Sequence, residues 1–210
     1  MLPKIQFISQ GETPEKQLNS IRKALDAGIT WTQLRYKNAS KIDVFRLAEK
    51  VKKETDQYNA LLTINDFPTI AKAIDAHGLH LGLTDGSIEQ ARELLGNVKI
   101  IGGTANTLED VQQRLAERCD YVGLGPLRFT TTKEKLSPSL GFEGYKKIIN
   151  TSSNTALVKP IFAIGGIVEN DLPKLLEIGV YGIAVSGLIY NATQPSQIVK
   201  QLNETLYTYA

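Results

Sequence analysis

Two aspartates stand at the ends of apolar runs in this 210-residue chain: Asp66 follows "ALLTIN" and Asp85 follows "GLHLGLT". Two carboxylates brought to one place can share a hard cation. Mg2+ takes oxygen ligands and commonly uses one or two carboxylates together with substrate phosphates. A zinc site is excluded, because Cys119 is the only cysteine and His77 and His80 do not form a pair with ligand spacing. Arg35 and Lys37 close the run "WTQLRYK", and Lys133 follows Thr130, Thr131 and Thr132. These cations suit a polyanion, most simply a diphosphate. Two further sites, Gly165-Gly166 in "IFAIGG" and Ser186-Gly187 in "GIAVSG", suit a second anion. Gly166 permits close backbone approach and Ser186 adds a hydroxyl. The residue types describe two phosphorylated ligands and a metal ion, with no evident catalytic histidine or cysteine.

Each piece also has a plainer reading. Asn65-Asp66-Phe67-Pro68 reads as a helix start with Asp66 near the N-cap. Asp85-Gly86 reads as a turn. Arg35 and Lys37 read as solvated charges, and Gly165-Gly166 as a tight strand-to-helix turn. His80, inside "GLHLG", reads as a core histidine, His77 as a surface one, and Cys119 as a core thiol. The sharper readings gain because the polar residues all fall at the same end of the elements that carry them.

Those elements alternate. The strand candidates are "KIQFIS", "WTQLR", "ALLTIN", "GLHLG", "VKIIGG", "YVGLGPL", "IFAIGG" and "GIAVSG". Between them lie amphipathic stretches. One opens with Thr13 as N-cap and Pro14 at N1 and closes at Gly28. The next sets Ile42, Phe45, Ala48 and Val51 on one face. Another starts at Ser87 and ends at Gly96. Eight strands, each followed by a helix, argue for a parallel sheet, and in this length for a single (β/α)8 TIM barrel over residues 1–210. An open doubly wound sheet is the runner-up, but the first strand-to-helix turn, "ISQGETPEK", has no G-x-G-x-x-G. In a barrel, active sites lie at the C-terminal ends of the strands, and the loops after strands seven and eight often bind phosphate. Gln33, Arg35 and Lys37 then share one side of strand two by alternation. Asn65 and Asp66 end strand three, Asp85 follows strand four, and Thr104 and Asn106 end strand five.

Composition sets the outer limits. There are 24 Lys and Arg against 22 Asp and Glu, a net charge of +2, and the basic residues are scattered. That excludes nucleic acid as an expected partner. No apolar run is long enough to span a membrane, and "MLPKIQF" lacks the layout of a signal peptide. A lone cysteine fits a reducing compartment, so the expected location is cytoplasmic.

The motifs "QLRYK", "IND", "HLGLTD", "IIGGTANT", "YVGLGPLRFTTTK", "AIGGI" and "GIAVSG", in order from about Ile5 to about Ile189, resemble the thiamine-phosphate synthase (thiamine-phosphate pyrophosphorylase) family. The resemblance implies a (β/α)8 barrel, a homodimer, and a transferase that joins hydroxymethylpyrimidine diphosphate to hydroxyethylthiazole phosphate with loss of pyrophosphate. It implies that Gln33, Arg35, Lys37, Asn65, Thr104 and Lys133 bind the pyrimidine diphosphate and that Asp66 and Asp85 hold Mg2+. Thr130, Thr131, Thr132, Gly166, Ser186 and Gly187 would bind the thiazole phosphate, and Arg35, Lys37 and Lys133 would stabilise the departing pyrophosphate.

The departures are specific. "PLRFT" stands where the family more often has Pro-Ile-Phe-Pro-Thr, so Arg128 is an extra cation near the phosphates or a surface substitution. Leu83 replaces a frequent Gln, Thr104 replaces a usual Ser, and "AVSGLI" is one residue shorter than the usual form. Two alternatives share the fold. A thiazole tautomerase resembles the synthase but relies on a histidine in the strand-six loop, and residues 126–132 contain none. A non-catalytic phosphate-binding regulator has no reason to keep Asp66, Asp85 and Lys133. The loop "RFTTTKEKLSPSLG" then bridges the two anion sites, and its length suggests a lid.

Overall fold

A computed structural model describes residues 1–129, 138–152 and 159–208. Among the described residues there are eight strands: β1 (Ile5–Ile8), β2 (Trp31–Leu34), β3 (Leu61–Asn65), β4 (Gly78–Leu81), β5 (Ile100–Ala105), β6 (Tyr121–Leu124), β7 (Ile161–Ile164) and β8 (Gly182–Val185). They pair in parallel in chain order, and β8 pairs back to β1, closing a barrel. The helices among the described residues are α1 (Pro14–Asp26), α2 (Lys41–Gln57), α3 (Pro68–Ala73), α4 (Ile88–Leu95), α5 (Leu108–Ala116), α6 (Gly141–Ser152), α7 (Leu172–Ile178), α8 (Gly187–Tyr190) and α9 (Pro195–Thr208). None is long and apolar enough to cross a membrane. The (β/α)8 expectation is met, and the doubly wound alternative is overturned by the closure of β8 on β1.

Local signals place the helix starts as expected. The side chains of Thr13 and Ser87 accept the N–H groups of Lys16 and Gln90, capping α1 and α4. Four details differ. Ile42 is 54% exposed, and α2 instead buries Val44, Leu47, Ala48, Val51 and Thr55. The apolar face is therefore rotated from the one that included Ile42. The strand "VKIIGG" starts only at Ile100, leaving Val98 in solvent, and runs on through Thr104. The strand "YVGLGPL" stops at Leu124, because Pro126 has no N–H to continue a ladder. The short helix α8 separates β8 from α9, so the last strand is followed by two helices.

Two cores result. The larger lies between the strands and the helical ring. The smaller fills the lower barrel with Trp31, Tyr121 and Phe162, packed edge to face at centroid distances of 5.0–5.4 Å. Pairs of this kind contribute roughly 0.5–1.5 kcal/mol each beyond their buried area. Gly102 makes room for them, since a Cβ there would strike the Tyr121 ring. This aromatic floor closes the barrel below and leaves the polar residues for its upper end.

Candidate active site

Above the aromatic floor runs a buried polar chain. Gln33 Nε2 donates to Gln6 Oε1 at 3.2 Å, and Gln6 Nε2 donates to the Tyr121 hydroxyl at 3.1 Å. The same hydroxyl lies 3.0 Å from His80 Nδ1, and His80 Nε2 lies 2.9 Å from Thr104 Oγ1. Burial pushes the Tyr121 phenol far above its ordinary range, so it stays neutral. Buried polar groups have to be hydrogen-bonded, and this chain satisfies five side chains from five different strands. It also fixes Gln33 and Thr104 from below. His80 is buried, as its apolar setting implies. His77 is half-buried rather than on the surface, and its Nδ1 accepts the Leu62 N–H at 3.1 Å.

One level up, at the C-terminal ends of β2, β3 and β4, the structure brings Lys37, Asp66 and Asp85 together. Lys37 Nζ forms an ion pair with Asp66 Oδ2 and lies 4.0 Å from Asp85 Oδ2. The two carboxyl groups also hydrogen-bond each other. Burial, reinforced by that hydrogen bond, pushes Asp66 up to about 6 despite the Lys37 charge. Asp85 is partly desolvated as well. The Asp66 hydrogen bond, the Lys37 charge and the Gly82 N–H nevertheless hold it below the usual carboxylate range. Of the two carboxyl groups, Asp66 is the one that takes up a proton more readily as pH falls. Asp66 has φ +66°, a left-handed conformation that Asp and Asn adopt more readily than other side chains. The helix-start reading holds in position, since α3 begins at Pro68 and Asp66 immediately precedes its N-cap, Phe67, but Asp66 makes no cap bond. The turn reading of Asp85 holds, because its Oδ2 accepts the Gly82 N–H at 3.0 Å.

The remaining expected residues fall around this cluster. Arg35 follows β2, its N–H donating to Ser9 Oγ at 2.9 Å and its carbonyl accepting from Gln17 Nε2. Asn65 is the buried last residue of β3, opposite His80 in register. Across the barrel, Gly166 follows β7 with φ +69°. Ser186 precedes α8, and its hydroxyl donates to Gln10 Oε1 at 3.2 Å. Gly187 opens α8. Thr130, Thr131, Thr132 and Lys133 lie outside the described residues, as does most of the bridging loop. Asn106 faces the connection after β6, donating to Gly125 O. Cys119 is buried, its thiol donating to Arg114 O, and burial raises its pKa. It has no thiolate character to offer chemistry.

The structure adds residues that motif reading missed. Gln6 and Tyr121 link Gln33 to His80. Arg114 of α5, only 2% exposed, donates from Nε to Thr104 O and from Nη2 to Gly82 O, tying the ends of β4 and β5. Arg128, the extra cation of the altered loop motif, is partly exposed and forms a bidentate ion pair with buried Asp171.

Among the described residues no group of three or more His, Cys, Asp or Glu is placed to hold a metal ion. The cluster does fit a hard cation supported by substrate oxygens. It offers two carboxylates, and a cationic ammonium already sits against both.

The thiamine monophosphate synthase family model matches residues 5–189. The thiamine-phosphate synthase of Flavobacterium psychrophilum is 52% identical over 206 residues, covering 98% of this chain and all of the relative. That of Bacteroides fragilis is 44% identical over 198 residues, 94% of this chain and 97% of the relative. The structure of a thiamine phosphate pyrophosphorylase from Pyrococcus furiosus superposes with a TM-score of 0.82 at 29% identity, over 98% of this chain and 96% of that one. With the barrel and the polar mouth, these likenesses establish that the chain belongs to the thiamine monophosphate synthase family, a family of transferases.

Proposed function

We propose that the chain joins hydroxymethylpyrimidine diphosphate to hydroxyethylthiazole phosphate. The carrying observation is the convergence of Lys37, Asp66 and Asp85 at one edge of the barrel mouth. Asp66 and Asp85 would hold Mg2+, which when bound neutralises charge on the diphosphate. Arg35, Lys37 and Lys133 would bind the diphosphate oxygens. Gln33 and Asn65 would orient the pyrimidine, and the Thr104 hydroxyl would contact the pyrimidine or its diphosphate. Thr130, Thr131, Thr132, Gly166, Ser186 and Gly187 would receive the thiazole phosphate.

In the proposed reaction the bond between the pyrimidine methylene and the diphosphate oxygen breaks first. Its electron pair leaves with pyrophosphate. The thiazole nitrogen then gives its lone pair to the methylene carbon, forming the new C–N bond. No proton moves in either step, which suits a site whose buried tyrosine stays neutral. Catalysis then rests on charge stabilisation at the leaving oxygens, where one well-aimed donor is worth on the order of 3 kcal/mol. It rests as well on holding both substrates in line. Two further parts of the proposal, a cytoplasmic location and a homodimer, follow from the lone reduced cysteine and from the family resemblance.

The test is phosphorus NMR of purified full-length protein with both substrates and Mg2+. Pyrophosphate is expected only when all three are present. No pyrophosphate in the complete mixture would refute the reading.

A further inference from the structure

The loop after β7 is gripped from the β6 side by Leu127 and Arg128. The backbone N–H groups of Leu127 and Arg128 donate to the carbonyls of Ile164 and Gly165 at 2.9 and 3.1 Å. The Arg128 guanidinium extends the grip. Nη1 donates to Gly166 O at 2.6 Å and to Asp171 Oδ2 at 2.5 Å, and Nη2 donates to Asp171 Oδ1 at 2.7 Å. Asp171 is 4% exposed, and its Oδ2 also accepts the Val168 N–H at 2.7 Å. One ion pair therefore anchors the carbonyl of Gly166 and the N–H of Val168, while the Arg128 backbone anchors the carbonyl of Gly165. Gly165 and Gly166 have φ +91° and +69°, and a Cβ on Gly166 would strike Arg128 Cγ. The arginine stem packs where only glycine leaves space.

A trans peptide points its N–H opposite to its carbonyl. With the carbonyls of Gly165 and Gly166 turned toward Arg128, the N–H groups of Gly166 and Ile167 are turned away from it. Among the described residues neither N–H has an acceptor. Pairing with Asp171 also offsets the Arg128 charge. We infer that Arg128 is a positioning residue: with Asp171 it sets the Gly166 and Ile167 N–H groups to receive the thiazole phosphate, and it does not bind that phosphate itself. This rests on the synthase reading above.

Asp171→Asn separates the two roles by sign. An arginine that bound phosphate would be released by this change, and KM for the thiazole phosphate would fall. A positioning arginine loses its anchor, and that KM rises. The expected results are a rise of about tenfold for Arg128→Ala and a smaller rise for Asp171→Asn. KM for the pyrimidine diphosphate should stay within about twofold. Arg128→Lys should recover part of the loss, because an ammonium reaches Asp171 but cannot span both acceptors. Hydrogen exchange of the substrate-free protein gives a readout independent of the reaction: the Val168 amide, held by Asp171, should exchange faster in Arg128→Ala while those of β7 do not. A fall in the thiazole-phosphate KM of Asp171→Asn, an equal rise in both KM values, or unchanged exchange at Val168 would overturn the inference. An enzyme with no synthase activity would leave the exchange result standing and overturn the synthase reading alone.

Discussion

Asp66→Asn should make the protein more resistant to unfolding above pH 6 while abolishing its activity. The side chain is nearly isosteric, and Asn tolerates the φ of +66° at this position. Asp66 is pushed from an ordinary 3.8 up to about 6 by burial and by its hydrogen bond with Asp85. A carboxyl raised in this way favours the fold when protonated. That contribution is fully present below the unfolded value near 4 and is lost as pH rises through about 6. The gap, at about 1.4 kcal/mol per pKa unit, is about 3 kcal/mol. The side chain is only 13% exposed, so solvent screening takes little from this figure. Asp85 contributes the opposite trend, but the amide that replaces the Asp66 carboxyl still donates to it, so that term largely cancels in the comparison. Urea unfolding at pH 4 and pH 7.5 measures both proteins. The stability difference should move toward the variant by about 2–3 kcal/mol between those pH values, or roughly 4–12 °C in Tm for a chain of this size. A difference independent of pH would refute the claim that burial raises Asp66.

Three other substitutions probe separate parts of the account. Asp85→Asn should weaken Mg2+ binding, read as a large rise in the Mg2+ concentration for half-maximal rate; an unchanged Mg2+ dependence removes Asp85 from the metal site. Lys133→Ala should lower kcat by roughly 10²–10³, the usual effect of removing one donor to developing charge, with little change in Tm. Equal loss of folding and activity would make that lysine structural. Tyr121→Phe leaves buried Gln6 Nε2 and His80 Nδ1 without their shared partner, at about 1–3 kcal/mol for each unsatisfied group. A cost below about 1 kcal/mol in urea unfolding would show that the buried chain is not needed to hold the barrel interior.

Much of the architecture is legible in the sequence because barrel strands and helices announce themselves by period and caps. Thr13 and Ser87 cap where their positions say they should. Ile42 misleads, since a residue at the first turn of α2 can match the helical period and still project past the strands it would pack on. The carboxylate cluster is legible from strand ends alone, because a closed barrel gathers the ends of β2, β3 and β4. The lower layers are harder to read. Gln6 looks like a stray polar residue within "KIQFIS", and only alternation, which sets it opposite Ile5 and Phe7, hints that it faces the barrel axis. Tyr121 reads as a core aromatic, and its hydroxyl acquires meaning only through His80 and Gln6, which are 41 and 115 positions away. Arg114 sits at the core-facing spacing of Val111 and Leu115, a polar residue in an apolar position that signals a buried partner. The Arg128–Asp171 pair spans 43 positions and carries no local signature at all.

The central claim is that one barrel mouth unites the two phosphorylated substrates. The most direct test is product stoichiometry in a single reaction, with thiamine phosphate measured by fluorescence after oxidation and pyrophosphate by phosphorus NMR. The account predicts equal amounts of the two, with no consumption of the pyrimidine diphosphate when the thiazole phosphate is left out. Pyrophosphate released without matching thiamine phosphate, or no thiamine phosphate at all with both substrates and Mg2+ present, would contradict it.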